Sequence, residues 1–288
     1  MGGAAVSTEF IDPLVRTPVG IPGGPRYTVA CFEGNDWSLA PLQRAGDQRR
    51  APDLAYRVGL ALRGLDARYA YAPSPVKFNG RLVNPDVLHN EILLGCGIVM
   101  YRNPDTPADG TLLATPRSSI IFSAGGCSMI VATMGQEMVG AHAGRDCIID
   151  RTRIKSRGEH RGRSNESIVD SIVKALAPSV CLRQHMHVGV YYSIKPEDFL
   201  HKFADEDPEH LKYNIPAAEM LMEEYGTAAG FVDSKGIYID VPGIIKAQFV
   251  EYGVPEEQIS LEHAYLSDEL PTTRRGGGRY LAAITRDS

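Results

Sequence analysis

Residues 118–143 restrict the fold more than any other stretch of this chain. Ser118–Ala124 (SSIIFSA) is an apolar run of strand length, and Gly125-Gly126 breaks it with a corner that sets Cys127 at its end. Ser128–Thr133 is a second apolar run, Met134–Gln136 a turn, and Glu137–Ala141 a returning strand that delivers His142 into Ala143-Gly144. Paired antiparallel strands bring their open ends together, so the pattern predicts Cys127 beside His142. Such a pair suits two chemistries. A thiolate next to an imidazole is an activated nucleophile, and the same sulfur and nitrogen are zinc ligands.

Composition narrows the class. The 288 residues are 43% hydrophobic and 23% charged, with no apolar run near the roughly 18 residues a spanning helix needs, so no membrane partner is expected. The opening MGGAAVSTEFIDP has neither a basic nor an apolar signal region, and its spacing does not fit myristoylation. Five cysteines without CxxC spacing fit a reducing compartment, and a cytoplasmic protein is the expectation. A net charge of −5 gives no case for nucleic-acid binding. Arg151, Arg153, Lys155, Arg157, Arg161 and Arg163 form a local basic run, read either as a solvated loop or as a phosphate contact.

Residues 1–25 read as a flexible or draped arm and 26–288 as one catalytic domain. Arg26–Phe32 is an expected strand, Pro52–Leu65 a helix, and Glu91–Tyr101 a β-type run. Asn165–Ala177 is the clearest helix, with Asn165 as its cap. Gln184–Ser193, Gly236–Asp240, Ile259–Leu266 and Tyr280–Thr285 read as strands; Pro196–Phe203, Ala217–Tyr225 and Val241–Tyr252 read as helices, the last capped by Asp240. Strands and helices mix without a regular βαβ repeat, which predicts an α+β fold with a mixed, mostly antiparallel sheet.

Among the remaining candidates, His89 (PDVLHNEI) precedes an apolar strand, and His185 and His187 (HMH) alternate on one strand face, where two imidazoles can bind a metal. P-loop, GxGxxG, HExxH and GxSxG motifs are absent from the sequence, which removes several enzyme classes. Arg275, in Arg274-Arg275-Gly-Gly-Gly, can place a cation beside an anionic group.

With hairpin and tail both in view, the chain resembles the laccase-domain family, named for polyphenol oxidase activity and including purine nucleoside phosphorylases and adenosine deaminases. ADGTLLATP (108–116), SAGGCSMIVA with Cys127, and VGAHAGRD with His142 are similar to the family's successive motifs. The closing region from IYIDVPG to RRGGGRYLAAI follows the family layout. The spelling departs where Gly126 replaces Asp, Met129 replaces Pro, Arg145-Asp146-Cys147 replaces Trp-Arg-Gly, and His263-Ala264 replaces Cys-Thr. The resemblance implies zinc, with copper as a second candidate, held by His89, Cys127 and His142 beside one open position. It implies a small nitrogenous substrate, a purine nucleoside with phosphate, which Arg145, the basic run and Arg275 would contact.

GGCSMIVA followed fifteen residues after its cysteine by His142 also resembles the core of the cytotoxic necrotizing factor deamidases. That likeness implies a metal-free amidohydrolase with Cys127 as nucleophile, His142 as base and oxyanion donors from the Gly125–Ser128 backbone. A non-enzymatic binding protein that kept the fold is the third reading.

Overall fold

The computed structural model describes residues 10–33, 37–75, 80–149, 167–204, 208, 210–266 and 278–288. In chain order the first eight strands are β1 (Val15–Gly20), β2 (Arg26–Phe32), β3 (Tyr69–Tyr71), β4 (Leu82–Val83), β5 (Asn90–Leu93), β6 (Val99–Arg102), β7 (Gly110–Leu112) and β8 (Ser118–Ala124). They are followed by β9 (Ser128–Met134), β10 (Glu137–Ala143), β11 (Met186–Tyr191), β12 (Leu200–Lys202), β13 (Gly230–Val232), β14 (Gly236–Ile239), β15 (Ile259–Ser260) and β16 (Tyr280–Arg286). The helices are α1 (Pro52–Gly64), α2 (Ile168–Leu176), α3 (Val180–Arg183), α4 (Ile215–Tyr225) and α5 (Val241–Glu251). The α+β class with mixed, mostly antiparallel sheets is as expected.

Seven strands form one sheet in the order β1-β2-β16-β8-β3-β6-β5, and six form a second in the order β15-β11-β9-β10-β7-β4. Side-chain alternation shows how they stack. On β8, Ile120 and Phe122 join the same buried cluster as Met129 and Val131 of β9, so these residues fill the space between the two sheets. Ile121 points the other way, into a cluster with Val58, Ala61 and Leu62 of α1. Ile130 and Ala132 of β9 face outward into a third cluster with α2, α4, α5 and β14. The result is layered: helix, sheet, sheet, then helices with the small β12-β14-β13 sheet.

Local chemistry sets the helix ends. Pro52 stands in the first turn of α1, where a missing N–H costs nothing. The Ser167 side chain accepts from Asp170 N at 3.1 Å and caps α2, the role expected of Asn165, which lies outside the described residues. Asp240 Oδ1 accepts from Gly243 N at 3.0 Å and caps α5 as expected.

Four segments differ from expectation, one being Ile259–Leu266, which is a strand only over Ile259–Ser260. Residues 15–20, read as part of an arm, pair with β2 along a six-residue register because their neighbour offers a complete antiparallel edge. Pro196–Phe203, read as a helix, is a single 3-10 turn followed by β12, which pairs with β14. Glu91–Tyr101 divides into β5 and β6, turning through Cys96 at φ 66° and Gly97 at φ 75°. Among the described residues no helix is long and apolar enough to cross a membrane.

The contact of β7 with β10 is unusually close. A Cβ on Gly110 would stand 2.6 Å from the Gly140 carbonyl oxygen and 2.7 Å from Ala141 Cβ. Gly110→Ala therefore pushes β7 off β10. We expect it to destabilise the protein by roughly 1–3 kcal/mol, read as a lower urea midpoint at unchanged slope.

Candidate active site

Cys127 and His142 meet as the hairpin requires. β9 and β10 pair from Glu137↔Met134 to Ala143↔Ser128, so Cys127 lies one step before the paired end and His142 one step inside it. Parity then decides where the imidazole goes. Met138 and His142 share a face of β10, and Met138 lies in the cluster between the sheets. His142 is accordingly buried between them, 6.1 Å from the Phe122 ring centroid.

The Gly-Gly corner lies where the chain leaves the seven-stranded sheet for the six-stranded one. Gly126 has φ 116°, a conformation that favours glycine. Its carbonyl accepts from Ile194 N at 2.8 Å. Tyr280, paired with Ala124 just before the corner, donates to the Tyr192 carbonyl at 3.1 Å. Cys127 is held half-buried at the wall of a cleft of about 440 Å³.

Behind His142 stands a residue to which the sequence alone attached no role. Asp109 precedes β7, and the Ala141↔Gly110 pairing sets it opposite His142, whose N–H donates to the Asp109 carbonyl at 2.7 Å. Its carboxylate is fully buried, with Oδ1 3.5 Å from His142 Nδ1 and Oδ2 accepting from Gly80 N at 2.8 Å. Cys147 completes the group: its Sγ donates to Asp109 Oδ1 at 3.4 Å and lies 4.0 Å from His142 Nδ1. The visible signal was an Asp-Gly before a short strand, which acquires meaning only once β7 is known to pair with β10.

These contacts set the ionisation of the site. Burial pushes the Cys127 thiol up. The charge of His142, its hydrogen bond and the nearby Arg279 outweigh this and hold the thiol below the ordinary cysteine value. Burial also disfavours charge on His142, yet the Cys127 thiolate and hydrogen bonds to Asp109, Cys127 and Cys147 raise it well above the usual histidine value. The two shifts agree on a thiolate–imidazolium pair. Cys147 behaves oppositely: burial, then the negative charge of Asp109, pushes its thiol up to about 12, so it keeps its proton.

The other sequence candidates are spread out. His89 is not gathered with Cys127 and His142; its Nδ1 lies 3.1 Å from the Val87 carbonyl oxygen, in a separate open groove with Tyr69, Tyr71 and Tyr101. The expected His89–Cys127–His142 ligand set is therefore not assembled. Although Asn90 pairs with Arg102, which lines the Cys127 cleft, the neighbouring His89 side chain faces the tyrosine-lined groove instead. Among the described residues, the group whose donor atoms lie within 4.8 Å of one another is Asp109, His142 and Cys147, which could hold a metal ion. Arg145 bonds Asp146 Oδ1 through Nε at 2.8 Å and Nη2 at 2.6 Å, and Asn214 Oδ1 through Nη2 at 3.0 Å, and is not among the residues lining the cleft. His185 and His187 face a groove with Gly135, at the far end of β9 from Cys127. Arg275 and the basic run 151–163 lie outside the described residues.

Solved structures share this architecture over nearly the whole chain. The fold is the laccase-domain fold. A Neisseria meningitidis protein, NMB0706, described as DUF152, superposes with a TM-score of 0.53 at 14% identity, covering 95% of this chain and 99% of that one. YlmD from Geobacillus stearothermophilus also gives 0.53 at 14% identity, over 93% of this chain and 95% of its own. The hypothetical protein YfiH of Bacillus licheniformis gives 0.52 at 13%, over 90% and 92%. No family model matches the sequence, and no curated protein does. At these identities the likeness establishes the fold alone.

The coupling of Cys127 to His142 and Asp109 has a measurable consequence. An ordinary thiol gains thiolate only near pH 8.5. Iodoacetamide should modify Cys127 well below that pH, as followed by peptide mass spectrometry. After the Cys127 charge, Asp109 is the next contact that raises His142, so Asp109→Asn weakens the imidazolium that stabilises the thiolate and should shift the rate profile to higher pH. A profile identical to wild type would contradict the coupling.

Proposed function

We propose that this chain is a cysteine-dependent hydrolase acting on amides or related acyl compounds. The observation that carries the reading is the line from the half-buried Cys127, beside His142 in one cleft, through His142 to the buried Asp109 carboxylate. Cys127 is the nucleophile, His142 the proton carrier, and Asp109 the positioning residue that fixes the imidazole and favours its charged form.

The cycle follows from the ionisation of the pair. The Cys127 sulfur bonds to the substrate carbonyl carbon, and the departing nitrogen takes the proton from His142 as the C–N bond breaks. Water then attacks the thioester, giving a proton to His142 and releasing the acid and the thiolate. The oxyanion that forms in each step needs N–H donors from the corner. The backbone N–H groups of Gly125–Ser128, Cys127's own among them, are the candidates for that role.

A second reading has its own observation. A zinc-dependent purine nucleoside phosphorylase or deaminase needs an ion at the site, and Asp109, His142 and Cys147 offer one oxygen, one nitrogen and one sulfur. The fit is partial. Zinc would have to displace the proton that Cys147 now gives to Asp109, and the set leaves Cys127, the thiol on the cleft wall, without a role. We therefore favour the hydrolase.

Activated acyl esters separate the two. A p-nitrophenyl ester should give a burst of nitrophenol and an acyl adduct on Cys127 visible by intact mass. Cys127→Ser and His142→Ala should each lower turnover by about 10²–10⁴. Stoichiometric zinc that survives Cys127→Ser but is lost in Cys147→Ser, together with turnover of inosine or adenosine, would establish the metal reading instead.

A further inference from the structure

The cleft at Cys127 contains a cation that the chemistry above does not use. Arg102 ends β6 and is 5% exposed. Its Nη2 donates to Ser74 Oγ at 3.1 Å, but Nε and Nη1 are buried without a hydrogen-bond partner among the described residues. A guanidinium so placed has lost water and gained one neutral hydroxyl in return. Buried charges are ordinarily matched by a counter-charge or by several hydrogen bonds, and Arg102 has neither among the described residues. Burial lowers its pKa to about 10, which still leaves it protonated at neutral pH.

The surroundings point to what would match it. Arg102 lines the same cleft as Cys127 and His142, and the described lining residues include no Asp or Glu. Ser123 Oγ, also at the cleft, is buried without a hydrogen-bond partner among the described residues. Arg279 stands exposed at the rim and donates to the Ser123 carbonyl at 3.4 Å. Two positive charges and an unmatched hydroxyl thus surround the approach to the thiol. A neutral substrate would leave Arg102 unmatched; a compact oxyanion would complete it.

We infer that Arg102 anchors an anionic group of the substrate, so that the Cys127 cleft takes acyl compounds bearing a carboxylate or phosphate. This rests on Cys127 being the reacting group, and the experiment tests the two claims separately. Iodoacetate and iodoacetamide both alkylate a thiolate, forming the C–S bond as iodide leaves, and differ chiefly in that the first is an anion. In the full-length protein, iodoacetate should modify Cys127 faster than iodoacetamide and with saturation. Inorganic phosphate and succinate should each slow it, and the one effective at lower concentration identifies the favoured oxyanion.

In Arg102→Met the iodoacetate-to-iodoacetamide rate ratio at Cys127 should fall by about tenfold or more, the size expected for one charge-assisted contact. Arg102→Lys, which keeps the charge but not the guanidinium fork, should restore part of it. Arg279→Ala should reduce the ratio less, since a rim charge is screened by water. An unchanged ratio in Arg102→Met, or one abolished by Arg279→Ala alone, overturns the role of Arg102. Iodoacetamide labelling of Cys127 without any preference for iodoacetate overturns it while leaving the nucleophile intact. Failure of both reagents at Cys127 overturns both claims. Should Arg102→Met fail to fold, the wild-type test decides: no saturation and no protection by either anion would refute the anchor.

Discussion

Asp109 is a carboxylate with no exposed surface, and the architecture around Cys127 is arranged to satisfy it. A buried carboxylate is tolerated only when hydrogen bonds or opposite charge surround it. Here they come from three separate segments: the Gly80 backbone, the Cys147 thiol and the His142 imidazole. Each is delivered by a different constraint. The β7–β10 pairing brings His142, the 3-10 turn after Gly144 brings Cys147, and the chain leading into β4 brings Gly80. The ionisation of Cys127 depends on this arrangement, because His142 holds its proton partly through Asp109.

The two cysteines beside His142 show how similar groups can be driven apart. Both are close to one imidazole and both are largely removed from water. Cys127 has Arg279 nearby and sits on the cleft wall, whereas Cys147 faces the Asp109 carboxylate in the interior. The sign of the neighbouring charge divides them into a thiolate and a proton donor. Their sequence contexts, Gly-Gly-Cys at a corner and Arg-Asp-Cys in a turn, carry no hint of this division.

What the sequence showed was governed by range. The three strands β8, β9 and β10 and the Cys127–His142 meeting were legible because period-two alternation and glycine punctuation are local signals. Arg26–Phe32, α1 and the Asp240 cap were legible for the same reason. Asp109 and Arg102 were not, since each acquires its role through a partner strand whose pairing no local pattern encodes. His89 misled in a related way. A motif likeness placed it at the metal, whereas its side chain lines a separate groove with Tyr69, Tyr71 and Tyr101. Pro196–Phe203 failed because its helical spacing was too short to outweigh an available antiparallel edge on β14.

β16 sits in the interior of the seven-stranded sheet, between β2 and β8, and its Tyr280 pairs with Ala124 just before the Gly125-Gly126 corner. It is also the last strand in chain order, paired with a strand from the opposite end of the sequence. Contacts so distant along the chain are costly to form and close late in folding. Until β16 inserts, β2 and β8 each present an unpaired edge, and β8 is held by β3 alone. The β9–β10 pair that brings Cys127 to His142 is by contrast local in sequence, so the reacting groups can meet before the sheet that backs them is complete.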